Sequence, residues 1–130
     1  MFISSLVCAQ QLAGPVFNIK MNGAAGDGKT NDTKAINDAI DAATKAGGGT
    51  VFFPAGTYLS YSIRLKSKIS LYLDQGCTLL AADSAAGGRY DEPEPNEHDK
   101  FQDFGHSHWH NSLIWGENLE NISILGPGTI

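Results

Sequence analysis

Apolar positions follow two different rhythms along this chain. Residues 16–21, VFNIKM, alternate apolar and polar, which predicts a short strand. A glycine-rich loop is expected over residues 22–30. The period then changes. Ala35, Ile36, Ala39, Ile40 and Ala43 share one face at helical spacing, so a helix is expected over residues 33–46. Thr30, Asn31 and Asp32 offer side-chain oxygens for its N-cap. Gly47 is placed to close it in the left-handed conformation. The apolar stripe is narrow and rich in alanine, so the helix can approach a flat surface closely. After the triple glycine at 47–49 the strand rhythm returns: residues 50–53, a Pro54-Ala55-Gly56 turn, then 57–60, 63–65, 69–73 and 78–80. No second helix pattern appears among them.

The strands repeat. Ile69-Ser70-Leu71, a glycine turn and Thr78-Leu79 resemble Ile122-Ser123-Ile124, a glycine turn and Thr129-Ile130. Each follows a short apolar run, Ile63-Arg64-Leu65 or Leu113-Ile114-Trp115, and a polar turn. Short strands recurring in this way predict a solenoid of stacked β-coils with a column of Ile, Leu and Val inside. Between the repeats lies an insertion, residues 82–111. It carries two prolines and a run of charges, and is expected to sit as a loop on one face.

The bulk properties narrow the function. A chain of 130 residues with 42% hydrophobic and 18% charged positions fits one domain with a real core. A net charge of −5 excludes the basic face of a nucleic-acid binder and electrostatic docking on anionic membranes. Cys8 and Cys77 make no disulfide framework. No apolar run is long enough to span a bilayer. The opening MFISSLVCAQ is apolar and small, with Val7-Cys8-Ala9 fitting a small-x-small cleavage site. Residues 1–12 therefore read as the remnant of a signal peptide, and the protein as secreted or periplasmic.

Several stretches are candidates for chemistry. Gly23-x-x-x-x-Gly28-Lys29-Thr30 fits the nucleotide-binding P-loop pattern. The strand before it is short and half polar, Asp27 would put a carboxylate in the phosphate cradle, and no βαβ alternation surrounds it. A tight turn before the helix explains these glycines better, and no nucleotide is expected. His106, His108 and His110 would share one face of a strand. Three imidazoles suit zinc, but no second cluster supports a metal site. The remaining readings are contact with a ligand, with His106, His108 and His110 as donors and Trp109 as a platform for a sugar ring, or packing. Asp91, Glu92, Glu94, Glu97, Asp99 and Asp103 form a charge run that reads as a solvated loop, with nothing to fix a catalytic pair. Arg64, Lys66 and Lys68 alternate along one face, as for an anionic ligand or an exposed solenoid side. No nucleophile elbow is present, and no motif asks for a cofactor. Asn31-Asp32-Thr33 and Asn121-Ile122-Ser123 are glycosylation sequons, meaningful only in a eukaryotic secretory pathway.

The stretch FNIKMNGAAGDGKTNDTKAINDAIDAATKAGGGTVFFPAGTYL closely resembles the N-terminus of the pectate-lyase-like superfamily. Together with LYLDQGCTLLAAD and HNSLIWGENLENISILGPGTI it resembles the polygalacturonases, glycoside hydrolase family 28. The resemblance implies an all-β fold: a right-handed parallel β-helix with an N-terminal capping α-helix, over residues 16–130, of which this chain supplies the first few coils. It implies inverting hydrolysis of galacturonan or another pectic polysaccharide or oligogalacturonide. The family's catalytic groups lie in Asn-Thr-Asp, Asp-Asp, Gly-His-Gly and Arg-Ile-Lys motifs, none of which occurs here. No catalytic residue is therefore carried over. The chain reads as an N-terminal fragment, inactive alone, with an open coil edge that favours self-association. The alternatives are a non-catalytic β-helix module for carbohydrate binding or adhesion, and a pectate lyase-type enzyme.

Overall fold

The computed structural model describes residues 12, 14–95 and 108–130. Among the described residues, nine strands form three parallel sheets around one core. The first sheet runs β1 (Val16–Asn18), β3 (Gly49–Phe53), β6 (Ile69–Leu73) and β9 (Ser123–Leu125). The second runs β2 (Asp27–Asn31), β4 (Gly56–Ser60) and β7 (Cys77–Ala81). The third pairs β5 (Ile63–Arg64) with β8 (Ile114–Trp115). The chain visits the sheets in turn and stacks each strand on its counterpart one coil earlier. This is the expected parallel β-helix.

The sequence repeat is the physical register. Ser70 pairs with Ser123 and Leu71 with Ile124 in the first sheet. Thr78 bridges Thr129 in the second. In the third sheet Ile63 pairs with Ile114, one position along from the alignment of Ile63 with Leu113 that the apolar runs suggest. Side chains alternate in and out along each strand. Val51 and Leu71 stack inward in one column, Phe53 and Leu73 in another, and Tyr58 and Leu79 in the second sheet. Each such burial contributes about 1.5–3 kcal/mol.

The helix α1 (Thr33–Lys45) takes the predicted place, and its buried residues are Ala35, Ile36, Ala39, Ile40 and Ala43. It lies against β1, β3 and β5 as a lid over the first coil. Its exit needs glycine. Gly48 has φ +118, and a Cβ there would meet the Lys68 carbonyl oxygen at 2.6 Å.

Two local expectations change. The first strand stops at Asn18, because its side chain accepts from the Lys20 amide and starts a 3-10 turn, Ile19–Asn22. Residues 27–31 are not loop but β2, since Asp27 and Asn31 pair with Thr57 and Leu59 of β4. Residues 1–11, Cys8 and the expected cleavage site lie outside the described residues. Among the described residues no helix is long and apolar enough to cross a membrane.

Candidate functional site

Two clusters of carboxylates flank this framework. The first belongs to the glycine-rich stretch before α1. Asp27 accepts from the amides of Lys29 and Thr30 at 2.9 and 2.7 Å, and from the Thr30 hydroxyl. The Thr30 amide, followed by that of Lys29, holds its carboxyl down to about 2. Those are amides that a phosphate cradle would offer, and they are already taken. Asp32 stands at the N-cap of α1 but does not cap it. Its carboxylate turns back and accepts from the Ala25 and Gly26 amides at 2.7 and 2.9 Å, and Asp32 is only 2% exposed. Asn31 accepts from the Thr33 amide instead. The stretch is a self-bonded turn that docks the helix.

The second cluster sits where the insertion meets the third sheet. Between β7 and β8 the chain spans residues 82–113, and the described ends of this excursion fold back on the coils. Tyr61 donates to the Asp83 carbonyl, accepts from the Gly88 amide and meets Tyr90 edge-on with ring centroids 5.3 Å apart. The Asp91 amide donates to the Ser62 hydroxyl. These bonds deliver Asp91 to Arg64 at the edge of β5. Arg64 grips it with two nitrogens, and Trp115 of β8 donates its indole N–H to the same carboxylate at 2.8 Å. The guanidinium foremost, and the indole after it, hold the Asp91 carboxyl below the usual carboxylate range.

Glu94 anchors the other side. Its two carboxylate oxygens accept from the amides of Trp109 and His110 at 2.7 and 2.9 Å. The His110 amide is the main cause that brings its carboxyl down to about 2. The Glu94 carbonyl accepts from Nδ1 of His108 at 2.8 Å, so that nitrogen carries the proton. The His110 ring stacks on Trp115 with centroids 3.9 Å apart, and its Nε2 donates to Glu117.

The sequence-predicted site residues are therefore split. Neither His108 nor His110 lies on a strand. The His110 ring lies inside a network of carboxylates and an indole. Trp109 is 51% exposed on a backbone fixed at its own amide. His106, Glu97, Asp99 and Asp103 lie outside the described residues. The solvated acidic loop is corrected at Asp91 and Glu94, which are half-buried and bonded to partners 15 to 27 positions away in sequence. Arg64 and Lys66 are likewise not a bare cationic stripe, for Lys66 pairs with Asp41 of α1 at 2.6 Å. The gathering of Ser62, Arg64 and Trp115 around Asp91 has no local sequence signal.

Among the described residues no three His, Cys, Asp or Glu side chains are grouped to hold a metal ion. Cys77 is buried, and burial pushes its thiol up to about 11, which keeps it protonated and unreactive.

Residues 16–124 match the family described as rhamnogalacturonase A/epimerase, pectate lyase-like. The chain belongs to this family. Within it, the chain is similar to the protein named Probable polygalacturonase of Vitis vinifera, 35% identical over 112 residues, covering 83% of this chain and 22% of the relative. It is also 44% identical over 80 residues to plasmin and fibronectin-binding protein A of Streptococcus pneumoniae, covering 60% of this chain and 11% of that one. Its coordinates superpose on a family 28 exopolygalacturonase of Yersinia enterocolitica with a TM-score of 0.62 and 33% identity, covering 85% of this chain and 19% of that structure. The chain thus spans less than a quarter of each of these relatives. Proteins named as a polygalacturonase and as a plasmin and fibronectin-binding protein both match this chain, so its framework does not by itself select an activity.

Proposed function

We propose that this chain is the capped N-terminal part of a secreted glycoside hydrolase that cleaves pectic polysaccharide. The observation that carries the reading is the likeness to the grape relative, which covers 83% of this chain and so extends well beyond the cap helix and the glycine turn. A likeness confined to the helix and the glycine turn would be shared with binding proteins. No residue of this chain is assigned to bond cleavage, since none of the four catalytic motifs implied by the resemblance occurs in it. The chain's share of the work is structural, with His106, His108, Trp109 and His110 offered as saccharide contacts. Export follows from the small, apolar residues 1–12, and neither a nucleotide nor a nucleic acid is part of the reading.

The experiment is depolymerisation of polygalacturonate by the full-length protein. Hydrolysis releases reducing ends without products that absorb in the near ultraviolet. Unsaturated, absorbing products would instead mark elimination and a lyase. A second reading, a β-helix binding or adhesion module, is favoured by the match to the streptococcal binding protein. Saccharide binding with no new reducing ends would select it.

A further inference from the structure

The Trp109 segment has a charge pattern that bears on which sugar it meets. Two carboxylates, Glu94 and Glu117, bond to the Trp109–His110 segment, and a third, Asp91, binds the Trp115 indole on which the His110 ring stacks, against one guanidinium, Arg64. Arg64 is already held by Asp91 through two nitrogens. Arg89 lies beside Glu92, at 3.4 Å, and Lys66 beside Asp41. With the imidazoles of His108 and His110 neutral, the cluster is net negative, and each described cation in it has a carboxylate partner. A free uronate brought here would meet repulsion. A neutral ring would not.

The mounting of Trp109 suits such a ring. Its amide and the next are fixed by one carboxylate, so little backbone freedom remains to be lost on binding. Its indole is 51% exposed and offers a flat apolar face with a polar edge. Glu117, with a side chain 60% exposed, keeps lone pairs for sugar hydroxyls.

We propose that the exposed Trp109 face is a binding platform for an uncharged sugar residue, such as a methyl-esterified galacturonate, in preference to the free acid. The proposal rests on the reading of the protein as acting on pectic chains, and it deepens that reading by naming the form of the residue bound here.

The test uses the full-length protein and one oligogalacturonide in two forms, fully methyl-esterified and de-esterified. Affinities are read by fluorescence anisotropy of end-labelled oligomers, before turnover, at low salt and above the ordinary imidazole titration range. The ester binds tighter by about threefold or more, and added salt narrows the gap. Trp109→Ala weakens ester binding about tenfold with the melting temperature unchanged, whereas Trp109→Phe keeps most of the affinity. Glu117→Gln narrows the difference between the two forms. Equal or tighter binding of the acid at low salt overturns the proposal, as does unchanged ester affinity in Trp109→Ala. Hydrolysis of polygalacturonate is scored separately. Cleavage with an inert Trp109→Ala sinks the platform alone. Absence of cleavage, with ester binding that still depends on Trp109, sinks the hydrolase reading alone.

Discussion

The glycine-rich cap and the insertion network use the same chemistry for different ends. In both, carboxylates accept backbone amides. In the cap, Asp27 and Asp32 bond to amides two to seven positions away, so the turn is closed by its own sequence. In the insertion, Asp91 reaches Arg64 and Trp115, 27 and 24 positions away, and Glu94 reaches Trp109 and His110, 15 and 16 positions away. The cap turn is therefore closed within its own stretch, while β2 and α1 still dock on β4 and β5. The network exists only once the coils have stacked and brought β5 beside β8. The first region holds the framework, and the second turns side chains outward where a ligand can meet them.

The largest expected effect is in the cap. Asp32→Ala leaves the Ala25 and Gly26 amides without their buried acceptor and costs about 3 kcal/mol, read by denaturant unfolding. Asp32→Asn, with one acceptor oxygen left, costs about half of that. An unchanged midpoint in Asp32→Ala would erase the contrast between the regions. A smaller loss is expected from Asp91→Asn. The Arg64 side chain is 58% exposed, so solvent screens the pair and the cost is about 0.5–1 kcal/mol. The sharper readout is Trp115, whose indole N–H resonance shifts when its acceptor loses its charge.

The smallest effect is local and pH-dependent. The Glu94 carboxyl is depressed from 4.5 to about 2. The unfolded chain therefore binds its proton first, and the contribution of Glu94 is present above about 4.5 and lost as pH falls towards about 2. Amide exchange at Trp109 and His110 should stay protected across neutral pH and speed up only within that window. Loss of protection at mildly acid pH, well above it, would show that Glu94 does not hold the segment.

What could be read in advance follows the same division. The helix, its alanine stripe and the Gly47 exit depend on spacing within one turn or two, and these elements appear where the pattern put them. The coil repeat was legible because stacked strands repeat their inward residues, as Leu71 over Ile124 shows. The short β2 was hidden, because its residues DGKTN have turn composition and become a strand only by pairing with β4. The Arg64–Asp91–Trp115 cluster was hidden too. Nothing near Asp91 in sequence distinguishes it from Glu92, which remains exposed, and only the Tyr61 and Ser62 bonds decide which carboxylate faces the sheet.

The division of labour between cap and insertion comes down to one paired measurement on the full-length protein: melting temperature and pectic-oligosaccharide affinity in Asp32→Ala and in Trp109→Ala. The expected result is a lower melting temperature with preserved affinity per folded molecule for Asp32→Ala, and weakened affinity with an unchanged melting temperature for Trp109→Ala. A Trp109→Ala protein that binds normally but melts early would contradict it, because the exposed indole would then be part of the core.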